Sequence, residues 1–182
     1  SAGNRLDGGT GTDQLYGGGG NDTFVADVQG DVVFEETGAG TDTVESSGSF
    51  YLYANIEHLT LTGSAGNFGV GNELANTLTG NSGLNLLIGW GGIDTINGGA
   101  ARDSIFGVEG DDALNGEAGI DYIVAGNGND TLNGGADADE MYGESGHDTM
   151  IGVRIPPSYG VCLERGAKPC LQSLPSFISG VA

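Results

Sequence analysis

From Gly89 to Ile151 one nine-residue phrase runs seven times without a break: GWGGIDTIN, GGAARDSIF, GVEGDDALN, GEAGIDYIV, AGNGNDTLN, GGADADEMY and GESGHDTMI. The sixth position is Asp in every copy: Asp94, Asp103, Asp112, Asp121, Asp130, Asp139 and Asp148. The eighth is a large aliphatic residue or Met, and the first and fourth are mostly Gly. A fixed period of this kind points to a solenoid, in which one small unit stacks on the next.

The phrase divides into a turn of six residues and a strand of three. Gly suits a turn whose backbone needs φ > 0 or close approach. In the strand x-U-x, where U is the apolar residue, the middle side chain faces one way and its neighbours the other. Two phrases then make one coil of a flattened solenoid with a short parallel sheet on each side. Repeats i and i+2 stack about 4.8 Å apart, so their Asp side chains face one gap. Calcium bonded at about 2.4 Å to oxygens above and below spans that gap, whereas magnesium at about 2.05 Å does not. Stacked carboxylates at this spacing repel one another without a cation. The oxygen ligands, with no cluster of Cys or His, argue against zinc and copper.

The pattern resembles the RTX nonapeptide repeat of secreted bacterial proteases, lipases and pore-forming toxins, continuously over residues 71–151. The resemblance implies an all-β, right-handed parallel β-roll, stacked on calcium and with essentially no helix. It also implies ligation by the sixth-column carboxylates together with turn carbonyls. The pairs are then Asp94 with Asp112, Asp103 with Asp121, Asp112 with Asp130, Asp121 with Asp139, and Asp130 with Asp148, which makes five full sites. The turn residues are the fourth-column glycines Gly92, Gly110, Gly119, Gly128 and Gly146. Ala101 and Asp137 replace Gly in that column, and Ala125 replaces it in the first.

An N-terminal block, 1–45, carries further copies with Asp13, Asp22, Asp31 and Asp42 in the sixth column, preceded by a partial copy with Asn4 and Leu6. Asp13 is expected to pair with Asp31, and Asp22 with Asp42. Two extra residues, Glu35 and Glu36, interrupt the phase. Residues 46–70 leave the pattern and read as a degenerate spacer. Its β-rich runs, Phe50–Tyr53 and Ile56–Leu61, predict wider coils of the same solenoid. At 71–88 the period returns with Asn76 and Asn85 in the Asp column, giving neutral oxygens and coils that hold the sheet with weak calcium or none.

Beyond Gly152 the repeat stops, and all four prolines follow, which excludes a stacked sheet. This tail, 152–182, is expected to be a cap or disordered. It holds both cysteines, Cys162 and Cys170, which the spacing allows as a disulfide or as free thiols. Part of residues 155–178, or a further domain docked there, is the expected cover for an outer apolar strip of Ile88, Phe106, Val124 and Tyr142, widened by Leu86 and Tyr122.

Residues 1–151 hold 2 basic and 24 acidic side chains, so nucleic acid is an unsuitable partner. No stretch is long and apolar enough to span a membrane. The start inside a repeat predicts a fragment of a longer protein. His58 and His147, the two histidines, fit a strand residue and an exposed turn residue. With no HExxH, GxSxG or Walker loop, no enzyme active site is expected within the chain. The expected function is a calcium-ion-binding module that folds on secretion. Its net charge and narrow core keep it unfolded until binding free energy becomes folding free energy. The resemblance adds type I export through a C-terminal signal and an extracellular bacterial location. The alternatives are an adhesive module that binds a surface, ice or carbohydrate through a Thr-x-Asn ladder, or an accessory domain beside an upstream catalytic or adhesive domain.

Overall fold

A six-residue strand is the commonest unit of the C-terminal block. In a computed structural model, which describes residues 2–27 and 30–152, most strands there run six residues and pass through the first column of the repeat. The expected three-residue strand is lengthened because positions two and three of the following repeat also pair with the next coil. Trp90 pairs with Val108, and Val108 with Gly126, beyond the x-U-x segment.

In chain order the strands are β1 (Arg5–Asp7), β2 (Gln14–Tyr16), β3 (Thr23–Ala26), β4 (Val32–Phe34), β5 (Thr43–Ser46), β6 (Phe50–Tyr51), β7 (His58–Leu61), β8 (Phe68–Val70), β9 (Thr77–Thr79), β10 (Leu86–Gly91), β11 (Thr95–Ala100), β12 (Ser104–Glu109), β13 (Ala113–Ala118), β14 (Tyr122–Asn127), β15 (Thr131–Asn133), β16 (Glu140–Ser145) and β17 (Thr149–Ile151). The odd-numbered strands form one parallel sheet of nine. The even-numbered strands form a sheet of six, β6 to β16, and a separate pair, β2 and β4. There is no helix among the described residues.

The register repeats every eighteen residues through the C-terminal block, as in Ile96 to Leu114 to Leu132. Each coil sends one side chain inward from each sheet. Leu78, Ile96, Leu114 and Leu132 come from one, and Leu87, Ile105 and Ile123 from the other, all fully buried. The resulting core is a narrow double file. Its one gap is Gly69, in the apolar column, where a Cβ would meet the methyls of Leu59 at 2.9 Å and Leu87 at 3.1 Å. Those neighbours already occupy the space.

The spacer departs from expectation. Phe24 pairs with Val44, twenty residues on, but Val44 pairs with Leu59, only fifteen on, and Leu59 with Leu78, nineteen on. The spacer thus holds one shortened coil of fifteen residues, followed by one of nineteen, a single residue wider than the regular eighteen. The nine-stranded sheet runs through it unbroken, while the opposite sheet is interrupted between β4 and β6. Ile56, Leu59 and Leu61 keep the core file filled.

The outer faces follow the expected columns. Ile88, Phe106, Val124 and Tyr142 pair in succession across β10 to β16. Tyr122 packs against both Phe106 and Tyr142, with ring centroids 6.0 and 5.7 Å apart. The tail, with its expected cap, export signal and cysteines, lies outside the described residues from Val153 onward.

Candidate metal centre

The sixth-column carboxylates form two ladders, one on each side of the roll. On the side of the nine-stranded sheet, Asp94 donates its backbone N–H to Asp112 Oδ1 at 2.8 Å, Asp112 to Asp130 at 2.7 Å, and Asp130 to Asp148 at 3.0 Å. On the other, Asp103 donates to Asp121 at 2.8 Å and Asp121 to Asp139 at 3.0 Å. Every pair expected in this block is therefore stacked in adjacent coils. In the N-terminal block Asp13 stacks under Asp31, and Asp22 under Asp42, by the same bond.

In each carboxylate that accepts such a bond one oxygen is thus engaged, and the other is in most of them left over. Oδ2 of Asp94, Asp103, Asp112, Asp121, Asp130 and Asp139 is buried and accepts no hydrogen bond. So is Oδ2 of Asp13, Asp22 and Asp42. Buried polar atoms without partners are rare, and a row of them with one geometry has a common cause. No N–H or O–H donor reaches these oxygens, so a cation is the partner their chemistry calls for. Asp31 differs, since its Oδ2 accepts the Asp27 N–H at 3.2 Å. Asp148, at the end of its ladder, is half-buried and its Oδ2 is not orphaned.

The glycine columns shape the space around these oxygens. A Cβ on Gly98 would lie 2.8 Å from Asp103 Oδ2 and 2.8 Å from the Gly116 carbonyl oxygen in the next coil. Gly107 and Gly116 repeat this arrangement with Asp112 and Ala125, and with Asp121 and Gly134. At its glycines the first column is therefore an oxygen-lined cradle that a side chain would fill. Its carbonyls are candidate ligands that the sequence pattern did not single out. The fourth column plays another part. Gly110, Gly119, Gly128 and Gly146 have φ between +135° and +149°, and each sits against the fourth-column carbonyl of the preceding coil. Gly92, with φ +107°, sits against the Leu74 carbonyl.

Burial dominates the electrostatics. It pushes the Asp94 and Asp103 carboxyls up to about 7 and Asp130 up to about 6, partly offset by the backbone N–H each accepts. Asp42, Asp112 and Asp121 are raised for the same reason. Neighbouring carboxylates add to the shift, as Asp112 does at Asp94 and Asp139 at Asp121.

The Asn coils have no such frustration. Asn76 Oδ1 accepts the Asn72 N–H at 2.7 Å, and its amide donates to the carbonyls of Ile56 and Glu57. Asn85 is satisfied in the same way through Asn81 and Asn67. A side-chain N–H takes the place that a cation would have. Glu57 was not foreseen, although it lies two residues before a buried Leu, as each Asp lies two before its apolar residue. Its carboxylate accepts the Asp42 N–H at 2.9 Å and carries the ladder through the shortened coil. His58 Nδ1 is buried without a partner, and His147 lies at the exposed turn expected for it.

Fold and site together define a parallel β-roll with buried ladders of hard, donor-free oxygens. The chain belongs to the family of the RTX calcium-binding nonapeptide repeat, which matches it in four copies, over residues 1–33, 70–105, 91–123 and 115–150. It is a calcium-binding repeat module, and this repeat is structural rather than catalytic. It is also similar to the endo-1,3-1,4-beta-glycanase ExsH of Rhizobium meliloti (strain 1021), with 41% identity over 69 residues, which is 38% of this chain and 15% of that enzyme. The chain thus matches only a small part of that relative's length. No solved structure matches it.

Proposed function

We propose that this module is a calcium-driven folding unit of a secreted bacterial protein, poorly ordered where calcium is scarce and folded where it is plentiful. The observation that carries this reading is the row of buried, unpartnered Oδ2 atoms from Asp94 to Asp139. Calcium, when bound, supplies the positive charge that lets these carboxylates stay ionised inside the roll. The Asp side chains offer Oδ2, and the first-column carbonyls of Gly107, Gly116, Ala125 and Gly134 line the same cradles. The fourth-column glycines Gly92, Gly110, Gly119, Gly128 and Gly146 bring their turns close enough to add carbonyls. The backbone N–H bonds to Oδ1 orient each carboxylate in advance.

Circular dichroism during a calcium titration, with magnesium as control, tests the reading. The expected result is a weakly structured chain in chelator and a β-rich one at about 1 mM calcium, within the range of extracellular modules. A spectrum already β-rich in chelator and unmoved by calcium would refute it. No helix among the described residues is long and apolar enough to cross a membrane.

A second reading, supported by the similarity to the glycanase, is that the module is an accessory part of a larger secreted enzyme. In that case catalysis resides in another domain, and the repeats assist its export or folding. Activity of the parent protein with and without the repeats separates this from a stand-alone binder.

A further inference from the structure

We propose that Asp22, Glu35 and Asp42 form a three-carboxylate site for a hard cation, distinct in charge from the repeat gaps and tighter than they are for calcium. The proposal rests on the calcium-binding reading above and adds a ligand that the nonapeptide pattern does not contain. Each of the three residues offers an oxygen within 4.8 Å of the others, and among the described residues this is the one such trio of acidic, His or Cys side chains.

The arrangement is oriented inward. Asp22 and Asp42 are at most 1% exposed. Asp22 Oδ1 accepts the Asn4 N–H at 2.6 Å, and Asp42 Oδ1 accepts the Asp22 N–H at 2.6 Å. Glu35 Oε1 accepts the Glu36 N–H at 2.9 Å. The remaining oxygen of each, Asp22 Oδ2, Asp42 Oδ2 and Glu35 Oε2, is buried and has no hydrogen-bond partner. Asn55 holds the inserted segment by donating its amide to the Glu35 carbonyl at 3.0 Å.

Glu35 reaches this place because of where the insertion falls. It lies eighteen residues after Gly17, in the first-column position of the following coil. In regular repeats the cradle at that Gly is lined by its own Asp Oδ2 and by the first-column carbonyl oxygen eighteen residues on. At Gly17 the lining is Asp22 Oδ2 and the Glu35 carboxylate Oε2. A charged oxygen stands where a neutral one stands elsewhere. The two inserted residues then lengthen the coil to twenty residues and bring Asp42 back into register over Asp22. Ligand charge count is a main determinant of calcium affinity, so this gap binds before the repeat gaps do.

Hydrogen exchange of the full chain across a calcium titration tests the proposal, comparing wild type, Glu35→Gln and Glu36→Gln. The two variants lose the same charge, but the exposed Glu36 carboxylate is outside the trio. Wild-type segment 17–45 is expected to gain protection at lower calcium than segment 98–124. Glu35→Gln should raise the midpoint of 17–45 by about tenfold and leave 98–124 within about twofold, whereas Glu36→Gln should move neither beyond about twofold. Equal shifts in the two variants, or no shift in Glu35→Gln, overturns the proposal while leaving calcium-driven folding intact. If Glu35→Gln never protects 17–45, the wild-type order decides, and protection of 98–124 at lower calcium overturns the proposal. Absence of calcium-dependent protection anywhere in the wild type overturns the functional reading itself.

Discussion

At the scale of the residue, two columns of the repeat carry left-handed backbone, and neither of them is held by Gly alone. The second column has positive φ at Trp90, Val108, Glu117 and Glu144 as well as at glycines. The fourth has it at Ala101 and Asp137 beside its glycines. Ala101, exposed and at φ +75°, gains nothing from its methyl group and bears the cost of the left-handed conformation. Ala101→Gly should therefore stabilise the calcium-loaded form by about 0.5–1 kcal/mol, measured by chemical denaturation, and a loss of stability would contradict this account. The carboxylates differ by position too. Asp121 accepts from Asp103 and donates to Asp139, whereas Asp148 only accepts, from Asp130, and is half-buried. Asp121→Ala should raise the calcium midpoint at least about threefold more than Asp148→Ala. Equal midpoints would break the link between the ladder and binding.

At the scale of the element, the Asp ladders couple sheet formation to protonation. Asp carboxyls titrate at about 4 in an unfolded chain, and burial holds Asp94, Asp103, Asp112, Asp121 and Asp130 above that. Asp94 and Asp103 lie at about 7 and Asp130 at about 6. A carboxyl raised on folding binds its proton more tightly in the folded form, so its stabilisation is complete below the unfolded value and is lost as pH rises through the folded one. In metal-free buffer the β-roll should therefore be more populated at pH 4 than at pH 8, with the loss centred between the values above. Calcium has to displace those protons, so its midpoint should rise as pH falls from 8 to 5. Far-UV spectra over both series check this, and a metal-free chain with more sheet at pH 8 than at pH 4 would count against buried ladders. The elements themselves were readable from period nine wherever the phase held. The shortened coil was not, because Val44 and Leu59 are brought together by the continuity of the apolar file rather than by any motif between them.

At the scale of the whole molecule, the core is a double file, one side chain from each sheet, and the charge on residues 1–151 is carried by 24 acidic side chains against 2 basic ones. On the proposed reading such a chain should be expanded until its carboxylates are neutralised. Small-angle scattering should show a radius of gyration of about 45 Å in chelator, falling to less than about half on calcium addition. Unchanged dimensions would separate binding from folding. The period, the Asp column and the apolar column were determined by sequence alone, because an eighteen-residue coil places equivalent residues over one another whatever the variable positions hold. The tertiary structure decided which oxygen of each carboxylate is left without a partner, since that depends on which backbone N–H reaches it from the coil below. It also decided that first-column carbonyls share the cradle and that Glu57 stands in for Asp. Glu35, outside the repeat phase, joined Asp22 and Asp42 for the same reason: proximity between coils is a property of stacking, and a two-residue insertion has no periodicity from which it can be read.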